Sequence, residues 1–318
     1  MNNILAHLQF SAAITGPICL MLGLGIWFKR INLINENFIE VASRIVFQVT
    51  LPTMLFLSIV SSKHDFSSSL SLVLYSLIAN ALFFIFTLFS VRKIIKKTND
   101  CGVVTQGSFR ANTAIIGLAY VANMYSSAGV ALAAIYVAAT SILFNIQAVI
   151  ALTPRGESNG WQVGKLMVKT LTKNPLIISI ALGLVCYLSG LPMPKMVTDA
   201  GHYFANMTLP LALLCAGGSL NLDALKQDSH SAWLATGYKL VLSPLLITGG
   251  AWMFGFRGLD LGLLFLMSCA PTSAASYVMA RAMGGNALLA ANIVALTTVV
   301  SLLTCTLGIF LLTSFGMI

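Results

Sequence analysis

The sequence predicts an all-α polytopic membrane protein: ten transmembrane helices in two inverted five-helix repeats, with broken fourth and ninth helices. Three observations carry that prediction. Apolar residues make up 58% of the chain and charged residues only 8%, with a mean hydropathy of +0.89, against about 25% charged in a soluble domain. Basic residues fall almost entirely on alternate loops, and landmarks recur at nearly one offset across the two halves. A spanning helix takes about 20 apolar residues, so a chain of 318 holds roughly ten or eleven spans and no separate soluble domain.

In order, the spans are read as 10–28, 41–61, 69–91, 103–124, 128–152, 175–191, 201–220, 232–256, 259–282 and 288–314. Between the fifth and sixth, residues 161–173 set Trp161, Leu166, Met167 and Leu171 against Lys165, Lys169 and Lys173, the pattern of a short helix lying on the membrane surface. With ten spans, alternate loops share a side. One side takes Lys29, Arg30, Arg44, Arg92, Lys93, Lys96, Lys97, Arg110, Arg155, Lys165, Lys169, Lys173, Lys226 and Arg281, and the other only Lys63, Lys195 and Arg257. Lys239 lies within a span and is counted on neither side. The positive-inside rule then puts both termini outside the cytoplasm.

The repeat shows in paired landmarks. Thr50-Leu51-Pro52 in the second span matches Thr208-Leu209-Pro210 in the seventh, and Pro17 matches Pro175, both 158 positions on. Asn112 and Pro271 are 159 apart. The repeats are 1–158 and 159–318, and five spans in each make the second copy inverted. Pro52 and Pro210 read as hinges that bend their helices.

Two segments are badly made as lipid-facing helices. In 106–122, Arg110 and Asn112 sit inside a spanning length. In 268–286, Pro271 removes a backbone donor, Thr272, Ser273 and Ser276 add hydroxyls, and Gly284-Gly285 closes the run. Backbone freed at membrane depth must be buried in protein or line a wet cavity. Each segment therefore reads as two half-helices, the second capped by Asn112 or Thr113 in one case and by Thr272 or Ser273 in the other. Their N–H groups and positive dipole ends favour a negative ligand. Arg110 either grips a carboxylate there in a bidentate way or reaches back to the headgroups. The sum is a binding site for a small organic anion.

Lys239 lies about two turns inside the eighth span. It either snorkels, binds carbonyls freed by the broken ninth helix, or carries a proton. Its repeat mate is Asn80. Asn145 reads as a helix–helix hydrogen bond. All nine aspartates and glutamates sit in loops or at span edges, which argues against a carboxylate-based ion site. The six cysteines show no metal spacing and read as small core residues. The histidines form no relay, and the N-terminus lacks the basic region of a signal peptide. No cofactor, metal or nucleic acid is called for. The expected partners are membrane lipid and a small carboxylate substrate, and a homodimer is compatible with the sequence.

Five stretches, VTLPTMLFLSIV (49–60), SFRANTAIIGLA (108–119), GGSLNL (217–222), YKLVLSPL (238–245) and above all 269–304, give the chain a family resemblance. It resembles the auxin efflux carrier family, in its bacterial permease branch, over essentially its whole length. Where many members carry a proline, this chain has Ala119. The resemblance implies the bile-acid and sodium/proton antiporter fold, in which the fourth and ninth helices cross at their breaks. It implies a scaffold from 10–61 and 175–220, and a transport unit from 69–152 and 232–314 that moves elevator fashion. The substrates implied are organic anions such as auxin, malonate or malate, with Asn112 and Pro271 at the crossing, and the location is the bacterial inner membrane.

A secondary active or facilitative transporter is thus the first expectation, and an anion-selective channel or pore the alternative. An intramembrane enzyme finds no protease constellation, no HExxH and no clustered acidic motif. A sensor would be expected to carry an output domain.

Overall fold

The computed structural model describes residues 2–61, 70–95, 97–153, 174–190, 193–226 and 230–318. The surface helix expected at 161–173, the 158/159 junction of the repeats, and Lys63, Lys96, Arg155, Lys165, Lys169 and Lys173 lie outside these residues. The described chain is nearly all helical. Its elements are α1 (Asn2–Arg30), α2 (Glu36–Val60), α3 (Leu70–Ile94), α4 (Thr98–Phe109), α5 (Thr113–Leu152) and α6 (Pro175–Ser189), followed by α7 (Lys195–Gly218), α8 (230–253), α9 (Gly258–Cys269), α10 (Ala275–Ala282) and α11 (Ala287–Ser314). Five of them, α1, α2, α3, α5 and α11, are long and apolar enough to cross a bilayer.

The helices are built inside out compared with those of a soluble protein. On α3, Leu74, Ile78, Leu82, Ile85 and Phe89 are exposed, three or four residues apart and so on one face. The opposite face buries Ser76, Asn80 and Thr87 along with Leu72, Phe83, Phe84 and Val91. An apolar stripe of that length facing outward needs lipid as its solvent. The chain is therefore a polytopic membrane protein.

α1 packs along α7 and α11, and the second half of α2 packs on α6 and α7. Between α1 and α7 the backbones touch. A Cβ on Gly217 would lie 2.1 Å from the Leu22 carbonyl oxygen, and one on Gly25 would lie 2.2 Å from that of Leu214. Small residues allow such close approach, which supplies the packing energy between membrane helices. Gly217→Val is therefore expected to destabilise the fold by about 3 kcal/mol or more, read as a lowered melting temperature in detergent. Gly249→Ala, where a Cβ meets nothing within 4 Å, is the control.

α3 and α5 flank α4, and α8 packs against α4, α9 and α11. α5 is interrupted at Ser126, a non-glycine residue at φ 53° and ψ −146°. Thr113 and Asn145 line one cavity, whereas a straight helix would hold them about 48 Å apart. The chain thus doubles back at Ser126, the gap between the fourth and fifth expected spans.

Proline acts differently in the two TLP copies. Before Pro52 the helix widens into a π turn, Val46–Thr50, in which the Leu51 N–H reaches the Val46 carbonyl. A second π turn, Tyr238–Leu242, precedes Pro244 in the same way, with the Ser243 N–H on the Tyr238 carbonyl. A proline removes the donor that the i−4 carbonyl needs, and the widened turn takes up the misfit. Pro210 lies within the continuous α7. None of the six cysteines is in a disulfide, and Cys215, Cys269 and Cys305 are buried.

Candidate functional site

The two breaks meet. α4 ends at Phe109 and α5 begins at Thr113, while α9 ends at Cys269 and α10 begins at Ala275. The extended residues between them pair antiparallel at Ala111 and Thr272. The Asn112 N–H donates to the Pro271 carbonyl at 2.7 Å, and the Ser273 N–H donates to the Arg110 carbonyl at 3.0 Å. Pro271 cannot donate, but its carbonyl is free to accept, so its place in the pair costs no donor. The Thr272 hydroxyl donates to the Gly107 carbonyl at 2.6 Å, and its N–H donates to the Thr297 hydroxyl of α11 at 3.1 Å. Backbone opened deep in the protein is thus satisfied by the other opening. Thr272→Val keeps the shape but orphans the buried Gly107 carbonyl. Its expected cost is about 1–3 kcal/mol, measured as a lowered melting temperature with faster amide exchange at 107–112.

The two new helix starts are not equivalent. Neither shows the capping expected from Asn112, Thr113 or Thr272, for the Asn112 side chain makes no cap bond and the Thr272 hydroxyl points across to α4. Ser273 comes nearest, its Oγ accepting from the Ala275 N–H at 3.4 Å. The Ser276 and Tyr277 amides are already turned onto the Ser273 and Ala274 carbonyls. On the α5 side the first bond within the π turn is Gly117 N–H to the Asn112 carbonyl. The amides of Thr113 to Ile116 therefore have no partner inside their helix.

Arg110 follows the last turn of α4 and is buried. Its Nη2 donates to Asn145 Oδ1 of α5 at 2.8 Å, and its Nη1 points at the Met279 sulfur of α10. The guanidinium stays in the interior instead of reaching for headgroups. A cavity of about 590 Å³ opens beside it, lined by Arg110, Asn112, Thr113, Ser141, Asn145 and Ser273 with Phe47, Phe144 and the start of α6 at Asn174. No acidic side chain is among its lining residues.

The structure thus divides the expected site. Arg110, Asn112, Thr113 and Ser273 face the cavity, while Pro271 and Thr272 are spent on the crossing. Ser276 is buried and does not line the cavity, and its Oγ has no hydrogen-bond partner. Asn145, read as a helix–helix bond, does join two helices, but it does so through Arg110 and lines the cavity. Phe47, Ser141, Phe144 and Asn174 were missed. They lie in ordinary apolar or loop contexts, and nothing in the local sequence brings them to residue 110.

Lys239 sits on the π turn of α8, 1% exposed, and its Nζ donates to the Ser268 carbonyl at the end of α9 at 2.9 Å. It does not snorkel. A cation at the negative end of the half-helix satisfies both the dipole and a freed carbonyl. Its mate Asn80 holds no freed helix end: it donates to the Ser76 carbonyl one turn back in its own helix at 2.7 Å and to the Tyr136 hydroxyl at 3.3 Å. Among the described residues no cluster of His, Cys, Asp and Glu could hold a metal ion.

A membrane protein with two interrupted helices crossing beside a polar cavity has the build of a transport protein. A family model described as membrane transport protein matches residues 15–309. The chain belongs to this family, the auxin efflux carrier family that its motifs resemble. It is 23% identical over 283 residues to an uncharacterized transporter of Methanothermobacter thermautotrophicus, covering 88% of this chain and 91% of that one. It is 24% identical over 305 residues to an uncharacterized transporter of Methanocaldococcus jannaschii, covering 91% and 95%.

Proposed function

We propose that this transporter carries a small organic anion, a mono- or dicarboxylate of the malonate or malate kind, by elevator-type alternating access. The observation that carries the reading is Arg110: a buried cation at the crossing, held by neutral acceptors and lining a cavity without acidic groups. A carboxylate entering there exchanges its water for the guanidinium fork and the first amides of α5. Asn112, Thr113, Asn145 and Ser273 supply the remaining polar contacts.

The crossing, the doubling back at Ser126 and the paired landmarks support ten spans in two inverted repeats. The mutual packing of α1, α2, α6 and α7 supports their role as a scaffold, with the other helices as the unit that moves. The site then travels with the crossing, past Phe47 and the start of α6. The protein would sit in a bacterial inner membrane with both termini outside the cytoplasm.

The test is uptake into proteoliposomes across a panel of mono- and dicarboxylates. Saturation and trans-stimulation by internal substrate mark a carrier. Linear, unsaturating flux without trans-stimulation would instead support an anion-selective channel.

A further inference from the structure

Arg110 has a second interior holder besides Asn145. Gln106 lies one helical turn before it on α4, so the two side chains share a face, and Gln106 is fully buried. Oriented to satisfy both neighbours, its amide oxygen accepts from Arg110 Nη1 at 3.3 Å, and its nitrogen donates to the Ser276 carbonyl of α10 at 3.1 Å. The reverse orientation sets donor against donor. With Asn145 on Nη2, the guanidinium is gripped from α4 and α5 by two neutral oxygens. Two ion pairs, Lys29–Glu36 and Arg44–Glu40, lie elsewhere.

A carboxylate in place of Gln106 would bind the guanidinium more strongly, but it would cancel its charge and compete with any incoming anion. A buried amide avoids that. It fixes the fork and leaves the charge uncompensated. It also links the fork to α10, so the position of Arg110 depends on both halves of the crossing.

We propose that Gln106 is the positioning residue of the anion site, holding the Arg110 guanidinium in place without neutralising it. This rests on the anion-carrier reading above. It follows that Gln106→Glu, which is nearly isosteric, closes the site with an internal ion pair. Gln106→Met, which fills the same space without an acceptor, loosens the fork.

The test uses the full chain in lipid nanodiscs with sodium malonate, acetate and benzoate as probes, read by thermal shift. The wild type is expected to be stabilised by at least one probe. Gln106→Glu is expected to melt close to the unliganded wild type yet lose the probe response. Gln106→Met is expected to bind about tenfold more weakly, the worth of one charge-assisted hydrogen bond. Wild-type probe affinity in both Gln106 variants, with Arg110→Ala unresponsive, would overturn the proposal alone and reduce Gln106 to a tie between helices. If wild type and Arg110→Ala behave alike, with or without a response, the anion-site reading fails instead. Gln106 is then judged on cryo-EM maps of the wild type and Gln106→Met, where an unmoved guanidinium refutes the positioning role.

Discussion

Arg110→Ala is expected to lower carboxylate uptake by about 100-fold or more while the protein remains folded. The deletion removes a charge-assisted fork whose hydrogen bonds to an anion are worth about 1.5–3 kcal/mol each. The cavity has no second cation among its lining residues to take over. The fold survives because the crossing is held by backbone pairs and by Thr272, none of which uses the guanidinium. Asn145 Oδ1 loses its donor but lines the cavity, so water can replace it. Arg110→Lys keeps the charge without the planar fork and should fall between. The measurement is initial uptake in proteoliposomes, with elution profile and melting temperature as the check on folding. Uptake at the wild-type rate in Arg110→Ala would end the assignment of the site.

The second large effect is expected at Lys239, and on a different parameter. Lys239 does not line the cavity. It grips the last turn of α9 from the π turn of α8. Lys239→Met leaves the Ser268 carbonyl buried without its donor, a cost of about 1–3 kcal/mol placed at the end of the broken helix. The crossing would shift relative to α8, and the turnover rate is expected to fall about tenfold. Apparent affinity should change less than about threefold, because the Arg110 fork is held by Gln106 and Asn145. Saturation kinetics of the variant decide the matter. A large rise in KM with unchanged turnover would place Lys239 in the binding site.

Much of this was legible in the sequence because membrane helices obey a short list of rules. Apolar length marks the spans, and a polar or proline-bearing stretch inside a span has to be satisfied by protein. That is why 110–113 and 270–273 stand out in the sequence alone. The detail failed where it depended on partners. Capping by Asn112, Thr113 or Thr272 was a local rule, and for Thr272 the opposing break overrode it by offering the Gly107 carbonyl to its hydroxyl. Asn145 looked like an isolated polar residue, and only the turn at Ser126 brings it to Arg110. Gln106 carries a faint signal, four residues before an arginine on a helix, but that spacing is common and identifies no role.

What the sequence determined by itself is the solvent and the location of the weak points: a lipid-embedded helical chain, broken at two places. These follow from composition and from residues that cannot make a regular helix. What only the tertiary structure decided is which groups are spent and which are left. Pro271, Thr272 and two backbone amides are consumed in joining the breaks, while Arg110 keeps an uncompensated charge beside a cavity. The physical reason is that a hydrogen-bonding group in a membrane interior must find a partner, and which partner lies within 3 Å or so is a property of packing.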